Sequence, residues 1–325
     1  MNRYLAWLFA LLLLVVAVGY GYATYLGYSS TARMTPAVAP PAAVADPTRV
    51  RFVAVGDIGK NTPERRKVAK AMGQVCAERG CDFALALGDN LYPSGMTAPT
   101  DPRMDQVFAE ARTWPFPTYL TLGNHDYGTG LDRTTAHHQV HWASRTPGIH
   151  LPAPTYRFRA GPVALWSIDT TEIFWQGEQP QATWLKQGLS ESTADYKVVF
   201  GHHTFRSQGQ HGNAGAYQGL GLLPVVRGKP LERLFNSTVC GHADLLLTGH
   251  DHNLQLLRHC GVVVVVSGAG ASARALVDQG NTPIAGYDQT GFVWVQLAPH
   301  TMVVALYRAD GQLLTQVTLP RDRAQ

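Results

Sequence analysis

The sequence predicts an α/β fold in which polar side chains gather at one edge of a parallel sheet. Five short apolar runs, each bounded by glycine, have the length and composition of buried strands. Open α/β sheets bind ligands beyond the carboxyl ends of their strands, so the polar residues that follow these runs are expected to converge. The runs are Val50 to Val55 before Asp57, Phe83 to Leu87 before Asp89, Tyr119 to Leu122 before Asn124, Val198 to Phe200 before His202, and Leu245 to Leu247 before His250.

A helix signal separates the first two runs. Thr62 is a suitable cap, Pro63 suits a first helical turn, and apolar residues recur at helical spacing as far as Cys76. Strand, helix and strand in this order predict a βαβ unit with two parallel strands. A further helix is predicted over Gln181 to Leu189.

The C-terminal part of the chain has a different pattern, in which short strand-like runs follow one another between turns. This pattern predicts a second, more antiparallel sheet packed on the first. The runs are Val262 to Val266, Phe292 to Leu297 and Met302 to Tyr307. The stretch from Tyr127 to Tyr156 resembles a loop, and contact with substrate or solvent is favoured for its histidines over a further metal site. These histidines are His137, His138, His141 and His150.

The N-terminal segment is predicted to lie outside this fold. No residue from Leu5 to Gly27 is charged, and the stretch is long enough to cross a bilayer as a helix. Arg3 precedes it, so the positive-inside rule places the N-terminus in the cytoplasm and the rest of the chain outside. A membrane anchor over residues 1–28 is favoured over a cleaved signal peptide, although Ala42 to Ala45 resembles a distant cleavage site. Cleavage would make the protein a secreted one.

Composition sets the remaining boundaries. Residues 29–48 are rich in proline and alanine and are predicted to form a stiff, unstructured spacer, which leaves one folded domain over residues 49–325. The net charge of +4, without a dense basic stripe, argues against nucleic-acid binding. The four cysteines fit an oxidising compartment, and local pairing is simplest, but the sequence leaves free thiols open. The local pairs would be Cys76 with Cys81 and Cys240 with Cys260.

The residues after the strands offer carboxylate, phenol, amide and imidazole groups, which together suit two adjacent metal ions. These residues lie in five ordered motifs, G-D-I-G, G-D-N-L-Y, G-N-H-D, G-H-H and G-H-D-H. The ordered motifs resemble the metallophosphoesterase superfamily, and more narrowly the small, tartrate-resistant purple acid phosphatases. The discriminating residue is Tyr92, three positions after Asp89 in G-D-N-L-Y. The segments Gly201 to Gly212 and Leu247 to Gln255 are also similar to that type. The resemblance covers about Arg51 to Tyr307 and implies a four-layer αββα sandwich of two mixed sheets flanked by helices.

The resemblance also implies a binuclear metal centre. Fe(III) is expected at Asp57, Tyr92 and His252, and divalent Fe, Zn or Mn at Asn124, His202 and His250, with Asp89 bridging the two. Phenolate is a hard oxygen donor that suits a trivalent ion, whereas imidazole suits divalent iron or zinc. His125 and His211 match outer-sphere histidines of the family and are expected to protonate the leaving group.

Further polar residues near the motifs are expected to support the ligands. Asp126 and Asp251 should hydrogen-bond loops or orient ligating histidines, and Asp169 and His242 are expected to be structural. His203 fits either an outer-sphere role or plain packing.

The expected activity is hydrolysis of phosphate monoesters outside the cytoplasm by attack of a metal-bound hydroxide. A phosphodiesterase or nucleotide-type enzyme could use the same scaffold, with a groove formed by the loops Pro93 to Arg103 and Tyr127 to Tyr156. The sequence is also compatible with a non-catalytic, membrane-tethered protein that binds metal or phosphate, and with redox chemistry at the iron. It predicts no oligomeric state.

Overall fold

Two mixed β-sheets pack face to face between layers of helices in the computed structural model, which describes residues 3–31, 35–128, 135–216 and 229–321. Within these ranges the side chains of residues 23–31, 174 and 175 are not described. The helices are α1 (Arg3–Thr31), α2 (Pro63–Arg79), α3 (Pro102–Val107), α4 (Thr135–Ala143), α5 (Thr170–Gln176), α6 (Gln179–Glu191) and α7 (Lys229–Leu234).

The strands divide between the two sheets. They are β1 (Ala37–Val38), β2 (Val50–Val55), β3 (Phe83–Leu87), β4 (Thr118–Thr121), β5 (Ile149–His150), β6 (Tyr156–Ala160), β7 (Val163–Ser167), β8 (Tyr196–Phe200), β9 (Leu245–Thr248), β10 (Leu254–His259), β11 (Val262–Ser267), β12 (Ala285–Tyr287), β13 (Gly291–Ala298), β14 (Thr301–Arg308) and β15 (Leu313–Pro320). One sheet has the order β15-β14-β13-β2-β3-β4-β5, and the other has the order β1-β6-β7-β8-β9-β11-β10-β12.

The core between the sheets is built from aromatic and branched side chains. Phe83 on β3 meets Phe158 on β6 edge-on, with ring centres 5.5 Å apart, and Tyr119 on β4 stacks on the same Phe158. The eight-stranded sheet is apolar on its other face as well, where Val199 on β8 packs in a second core with Leu185 of α6. Because successive strand residues alternate between faces, one apolar run serves both layers. The predicted four-layer sandwich is confirmed.

The first βαβ unit follows the sequence prediction. The Thr62 hydroxyl accepts the backbone N–H of Arg65 and caps α2, with Pro63 in the first turn, and β2 pairs in parallel with β3. The cysteines form the two local disulfides, which are Cys76–Cys81 and Cys240–Cys260. Helix α6 contains the predicted helix and extends two residues beyond it at each end.

The prediction for the C-terminal strands was wrong in one respect. Strand β11 does not join a separate antiparallel sheet with β13 and β14. It pairs in parallel with β9 in the eight-stranded sheet, whereas β13 pairs antiparallel with β2 and extends the seven-stranded sheet. An apolar run indicates that a strand is buried, but it carries no information about which strand lies beside it.

The predicted spacer is not unstructured over its described part. Ala37 and Val38 form β1, which pairs in parallel with β6, and Ala42 makes a further bridge to Ala160. The Tyr119 hydroxyl donates to the Pro40 carbonyl at 2.8 Å. Alanine is small enough to pack against the sheet, and an edge strand tolerates proline because its outer N–H groups need no partner. The ordered fold therefore includes residues ahead of position 49.

The stretch predicted as a loop between Tyr127 and Tyr156 contains α4 and β5 within its described residues. Ala136, Gln139, Val140 and Ala143 are buried at helical spacing, which explains the helix. The pattern is hard to recognise in the sequence, because the polar residues His137, His138 and His141 lie between the buried positions of the same helix.

Helix α1 is long and apolar enough to cross a membrane. Its segment Arg3–Tyr22 has a mean hydropathy of 2.2, and none of it is buried against the rest of the protein. Length and composition alone support this statement, and a signal sequence would show the same features.

Candidate metal centre

All seven predicted ligands come together where five strands of the two sheets end. Three neighbouring strands of the seven-stranded sheet, β2, β3 and β4, lead into the loops that carry oxygen donors. Two neighbouring strands of the eight-stranded sheet, β8 and β9, lead into the loops that carry imidazoles. The predicted ligands on these loops are Asp57, Asp89, Tyr92 and Asn124 after strands of the first sheet, and His202, His250 and His252 after strands of the second.

Three of these residues hold an unusual backbone conformation. Asp57, Asp89 and His250 have φ angles of 59°, 52° and 68°, in the left-handed region that residues other than glycine rarely adopt. Such a conformation costs about 1–3 kcal/mol and persists only where the surrounding structure imposes it, which is common at functional sites. The backbone conformation therefore helps to aim these three side chains at one another.

One group of donors surrounds Tyr92. Its hydroxyl oxygen lies 2.9 Å from Asp57 Oδ1 and 3.3 Å from His252 Nε2. The same His252 nitrogen lies 3.2 Å from Asp57 Oδ1. On the far side of its ring, His252 Nδ1 lies 3.0 Å from the Ser272 hydroxyl, which fixes the ring so that Nε2 faces the other donors.

A second group of donors surrounds His202. Its Nε2 lies 3.1 Å from Asn124 Oδ1 and 3.2 Å from His250 Nδ1. The opposite nitrogen, His202 Nδ1, donates to the Leu87 carbonyl at 2.9 Å and turns Nε2 inward. His202 is completely buried.

Asp89 lies between the two groups, with one carboxylate oxygen on each. Its Oδ2 accepts the Tyr92 hydroxyl at 2.7 Å, and its Oδ1 lies 3.4 Å from His202 Nε2. The approach is so close that a Cβ on Gly123 would lie 2.2 Å from Asp89 Oδ1, so only glycine fits there. A carboxylate that faces two donor groups in this way is suited to bridging two ions.

The electrostatics of the site fit cations. Burial, together with the carboxylates of Asp57 and Asp89, raises the pKa of Tyr92 far above its ordinary value, so a phenolate needs a neighbouring cation. Burial lowers the pKa of His202, but the charge of Asp89 outweighs burial and raises it to about 10. Burial and the surrounding histidines lower the pKa of His250 well below its usual value, which leaves the neutral imidazole that metals bind. The donor atoms of Asp57, Asp89 and His202 all lie within 4.8 Å of one another.

The two predicted proton donors border a cleft of about 700 Å³ that opens onto the donor groups. The ring of His125 lies 4.3 Å from the ring of Tyr92, and its Nδ1 lies 2.6 Å from the Pro93 carbonyl. The ring of His211 lies 4.0 Å from that of His250. Both histidines thus stand beside the donors without belonging to either group.

Two buried carboxylates hold the loops in place, as expected. Asp126 accepts the backbone N–H groups of Asn90, Leu91 and Gly123, and so ties two ligand loops of the seven-stranded sheet together. Burial and the charge of Asp89 raise the pKa of Asp126 to about 6.

On the other side of the centre, Asp251 accepts the His211 N–H at 2.9 Å and the Ser207 hydroxyl. It also approaches the loop backbone closely, since a Cβ on Gly209 would lie 2.0 Å from its Cγ. These contacts hold the His211 loop over the centre.

The remaining polar residues have structural contacts. Asp169 caps α5 by accepting the N–H groups of Thr171 and Glu172, and His242 Nδ1 lies 2.8 Å from the Cys240 carbonyl. His203 is buried, with Nδ1 2.8 Å from the Thr170 hydroxyl. The described histidines of α4 and β5 do not line the cleft. Of the two loops expected to form a groove, Pro93 to Arg103 contributes its two end residues to the cleft wall, and no described residue from Tyr127 to Tyr156 lines it.

Sequence reasoning missed several residues that border the site. Asn90 directly follows Asp89, and its amide bridges the Thr121 carbonyl and Gln139, so its position in G-D-N is a signal that was available. Lys60 and Arg274 line the cleft, and Ser272 orients His252, yet their segments carry no recognisable motif.

Comparison with known proteins identifies the family of the chain. The model of the calcineurin-like phosphoesterase family matches residues 50–254. The chain belongs to the calcineurin-like phosphoesterase family. This phosphoesterase is 30% identical to tartrate-resistant acid phosphatase type 5 of Oryctolagus cuniculus, over 85% of this chain and 92% of that protein. It is 28% identical to purple acid phosphatase 4 of Arabidopsis thaliana, over 82% of each chain.

Solved structures share the fold of this phosphoesterase. Purple acid phosphatase PPD1 from yellow lupin seeds superposes with a TM-score of 0.65 at 19% identity, covering 84% of this chain and 54% of that chain. GAP50, described as the anchor in the inner membrane complex of Plasmodium, superposes with a TM-score of 0.69 at 19% identity, covering 85% and 90%. Family membership makes the protein a hydrolase of phosphoric esters, as its motifs predict.

Proposed function

We propose that this phosphoesterase is a two-metal acid phosphatase that hydrolyses phosphate monoesters outside the cytoplasm. The observation that carries the proposal is the position of Asp89, whose two carboxylate oxygens face two separate donor groups. Similarity to tartrate-resistant and purple acid phosphatases over most of the chain supports the same reaction.

We assign Fe(III) to Asp57, Tyr92 and His252, and divalent Fe, Zn or Mn to Asn124, His202 and His250, with Asp89 shared. The first group offers a carboxylate and a phenol, hard oxygen donors that suit a trivalent ion, and the second offers two imidazoles that suit a divalent one. When bound, two such ions would supply Lewis-acid stabilisation of phosphoryl charge and would lower the pKa of water.

The side chains around the cleft supply the remaining chemistry. In His125, an Nδ1–H that donates to the Pro93 carbonyl leaves Nε2 to carry the proton that the leaving group requires. His211 is the second candidate donor, and Asp251 fixes its backbone. The buried amide of Asn90 and the carboxylate of Asp126 keep the loops from shifting as charge develops.

We further propose that α1 anchors the enzyme in a membrane, with the catalytic domain in an extracytoplasmic compartment such as a bacterial periplasm. Arg3 precedes the apolar segment, which favours this orientation, and two disulfides fit an oxidising compartment. Cleavage near Ala42 to Ala45 would remove β1, which is paired with β6. That loss argues against processing at the alanine-rich stretch.

The test compares turnover of 4-nitrophenyl phosphate with that of bis(4-nitrophenyl) phosphate by metal-loaded enzyme. We expect faster hydrolysis of the monoester and a loss of about a thousandfold in kcat/KM in Asp89→Ala, because both ions lose their shared ligand. Asp310→Ala, in the exposed turn between β14 and β15, is the matched control. A preference for the diester would identify a phosphodiesterase, and no turnover at full metal occupancy would leave a binding role.

A further inference from the structure

Two cations border the cleft without a part in the proposed hydrolysis. Lys60 and Arg274 line the same cleft as the donor groups. Within the described part of the chain, neither forms an ion pair with a carboxylate, whereas Arg103 in the same wall is paired with Asp101. A cation that faces a cleft and lacks an acidic neighbour is available to bind an anion.

Lys60 stands on the side of the oxygen donors. Its Nζ lies 4.9 Å from the centre of the Tyr92 ring, within the range of a cation–π contact. The backbone just before it is fixed, because the Gly59 N–H donates to the Asp89 carbonyl at 3.0 Å. A Cβ on Gly59 would lie 2.4 Å from Leu91 N, which shows how closely the two loops pack. Lys60 is therefore held against the loop that carries the bridging carboxylate.

Arg274 stands on the side of the imidazoles. Its backbone N–H donates to the His252 carbonyl at 2.7 Å, and its guanidinium donates to the Gln210 side chain at 3.1 Å. Gln210 directly precedes His211, so the guanidinium lies beside the histidine that borders the cleft. The two cations thus flank the centre from its two sides.

The charge of the proposed metal centre is enough to balance the substrate phosphate without Lys60 and Arg274. Two ions of the proposed kind carry about +5, and Asp57, Asp89, Tyr92 and the attacking hydroxide together carry about −4, which leaves about +1 for the phosphate monoanion that prevails at acidic pH. We propose that these two cations, which face the cleft from either side of the centre, favour substrates with a second anionic group, so that the preferred substrates are phosphate monoesters that carry a further carboxylate or phosphate. This inference rests on the proposed phosphatase function and specifies its substrate class.

The test uses a pair of substrates that differ only in the second anion. Sorbitol 6-phosphate ends in a hydroxymethyl group, and 6-phosphogluconate ends in a carboxylate that cannot itself be hydrolysed. For wild-type enzyme we expect kcat/KM to be about tenfold higher for 6-phosphogluconate, from two partly exposed charge contacts. In the double variant Lys60→Met, Arg274→Met we expect this ratio to fall towards one.

The control variant is Lys67→Met, which removes an exposed lysine of α2 that pairs with Glu64. It should leave the ratio at its wild-type value. A wild-type ratio near one, or a ratio that survives the double substitution, would overturn the anion site. Sedoheptulose 7-phosphate and its 1,7-bisphosphate form a second pair, which tells whether phosphate replaces carboxylate as the second anion.

Calorimetry separates failure of this inference from failure of the phosphatase itself. Turnover of 4-nitrophenyl phosphate reports the proposed function independently of Lys60 and Arg274. If the protein turned over neither sugar phosphate but bound 6-phosphogluconate about tenfold more tightly than sorbitol 6-phosphate, the anion site would stand and the phosphatase would fail. Equal dissociation constants for the two ligands would overturn the anion site whatever the rates.

Discussion

The two sheets contribute different chemistry to the centre. Among the seven predicted ligands, those that follow strands of the seven-stranded sheet are all oxygen donors, and those that follow strands of the eight-stranded sheet are all imidazoles. Each donor group nevertheless draws on both sheets, because a histidine joins the tyrosine group and an asparagine joins the histidine group. The position of one sheet relative to the other therefore determines the geometry of both proposed ion sites.

We call the loops of the seven-stranded sheet the oxygen side of the centre and those of the eight-stranded sheet the nitrogen side. The largest difference in metal content and colour is expected between Tyr92→Phe on the oxygen side and His250→Ala on the nitrogen side. The Tyr92 phenolate on Fe(III) that we propose would give a visible charge-transfer band, so Tyr92→Phe should abolish the colour of iron-loaded protein while most of the fold remains. His250→Ala should keep the colour and lose the divalent ion. Each should lower kcat/KM by about a hundredfold or more, since each removes an electrostatic element of the centre.

Metal analysis and a visible spectrum on the same samples decide this contrast. The ion content per chain should fall selectively in His250→Ala, with iron retained. Colour that persisted in Tyr92→Phe would remove the tyrosinate assignment. Loss of both ions in both variants would show that the two donor groups bind their ions only together. The difference between oxygen and nitrogen donors would then not determine which metal each group selects.

A smaller contrast is expected between the carboxylates that support each side. Asp126 accepts N–H groups from two loops of the oxygen side, and Asp251 accepts the N–H of His211 on the nitrogen side. Loss of such supporting contacts typically costs about 10–100-fold in metal affinity or activity. Asp126→Asn should therefore weaken metal binding, whereas Asp251→Asn should chiefly lower kcat and alter its pH profile through His211.

Dissociation constants for the metals and full pH–rate profiles distinguish the two supports. Ser207→Ala, which removes only one partner of Asp251, is a milder variant of the same side. If Asp251→Asn weakened metal binding as much as Asp126→Asn and left the pH profile unchanged, both carboxylates would have the same purely structural role.

The sequence predicted which side chains come together at the candidate centre better than it predicted the arrangement of the sheets. Each predicted ligand lies within five residues after a buried strand, and that local order is visible in the chain. The pairing of β11 with β9, and of β13 with β2, joins segments that are far apart in sequence, and apolar residues do not encode such partners. β1 was missed for a related reason, since alanine and proline carry little strand propensity and this strand depends on its contact with β6. Arg274 reaches the cleft only because its loop returns past His252.

The smallest contrast concerns ion pairs on the two sides of the molecule. Asp101 is 3% exposed, accepts the Thr97 N–H and pairs with Arg103 at the cleft wall. Glu178 pairs with Arg233, which is 58% exposed, in the helical layer behind the eight-stranded sheet. At pH 7, Asp101→Asn should lower the free energy of unfolding by about 1–3 kcal/mol, because buried charge-assisted hydrogen bonds are lost. Glu178→Gln should lower it by less than about 1 kcal/mol, because solvent screens the exposed partner.

The stabilisation that Asp101 provides is expected to decrease as the pH falls. Hydrogen bonds from Arg103 hold the pKa of Asp101 well below its usual range, so the folded protein binds this proton less readily than the unfolded chain does. The stabilisation is therefore fully present above the unfolded pKa of about 3.9, and it is lost as the pH falls through the folded value. Urea unfolding of metal-free protein at pH 7 and pH 3 should show the cost of Asp101→Asn shrinking with acid. A cost that stayed constant would mean that Asp101 stabilises the cleft wall by packing and not by its charge.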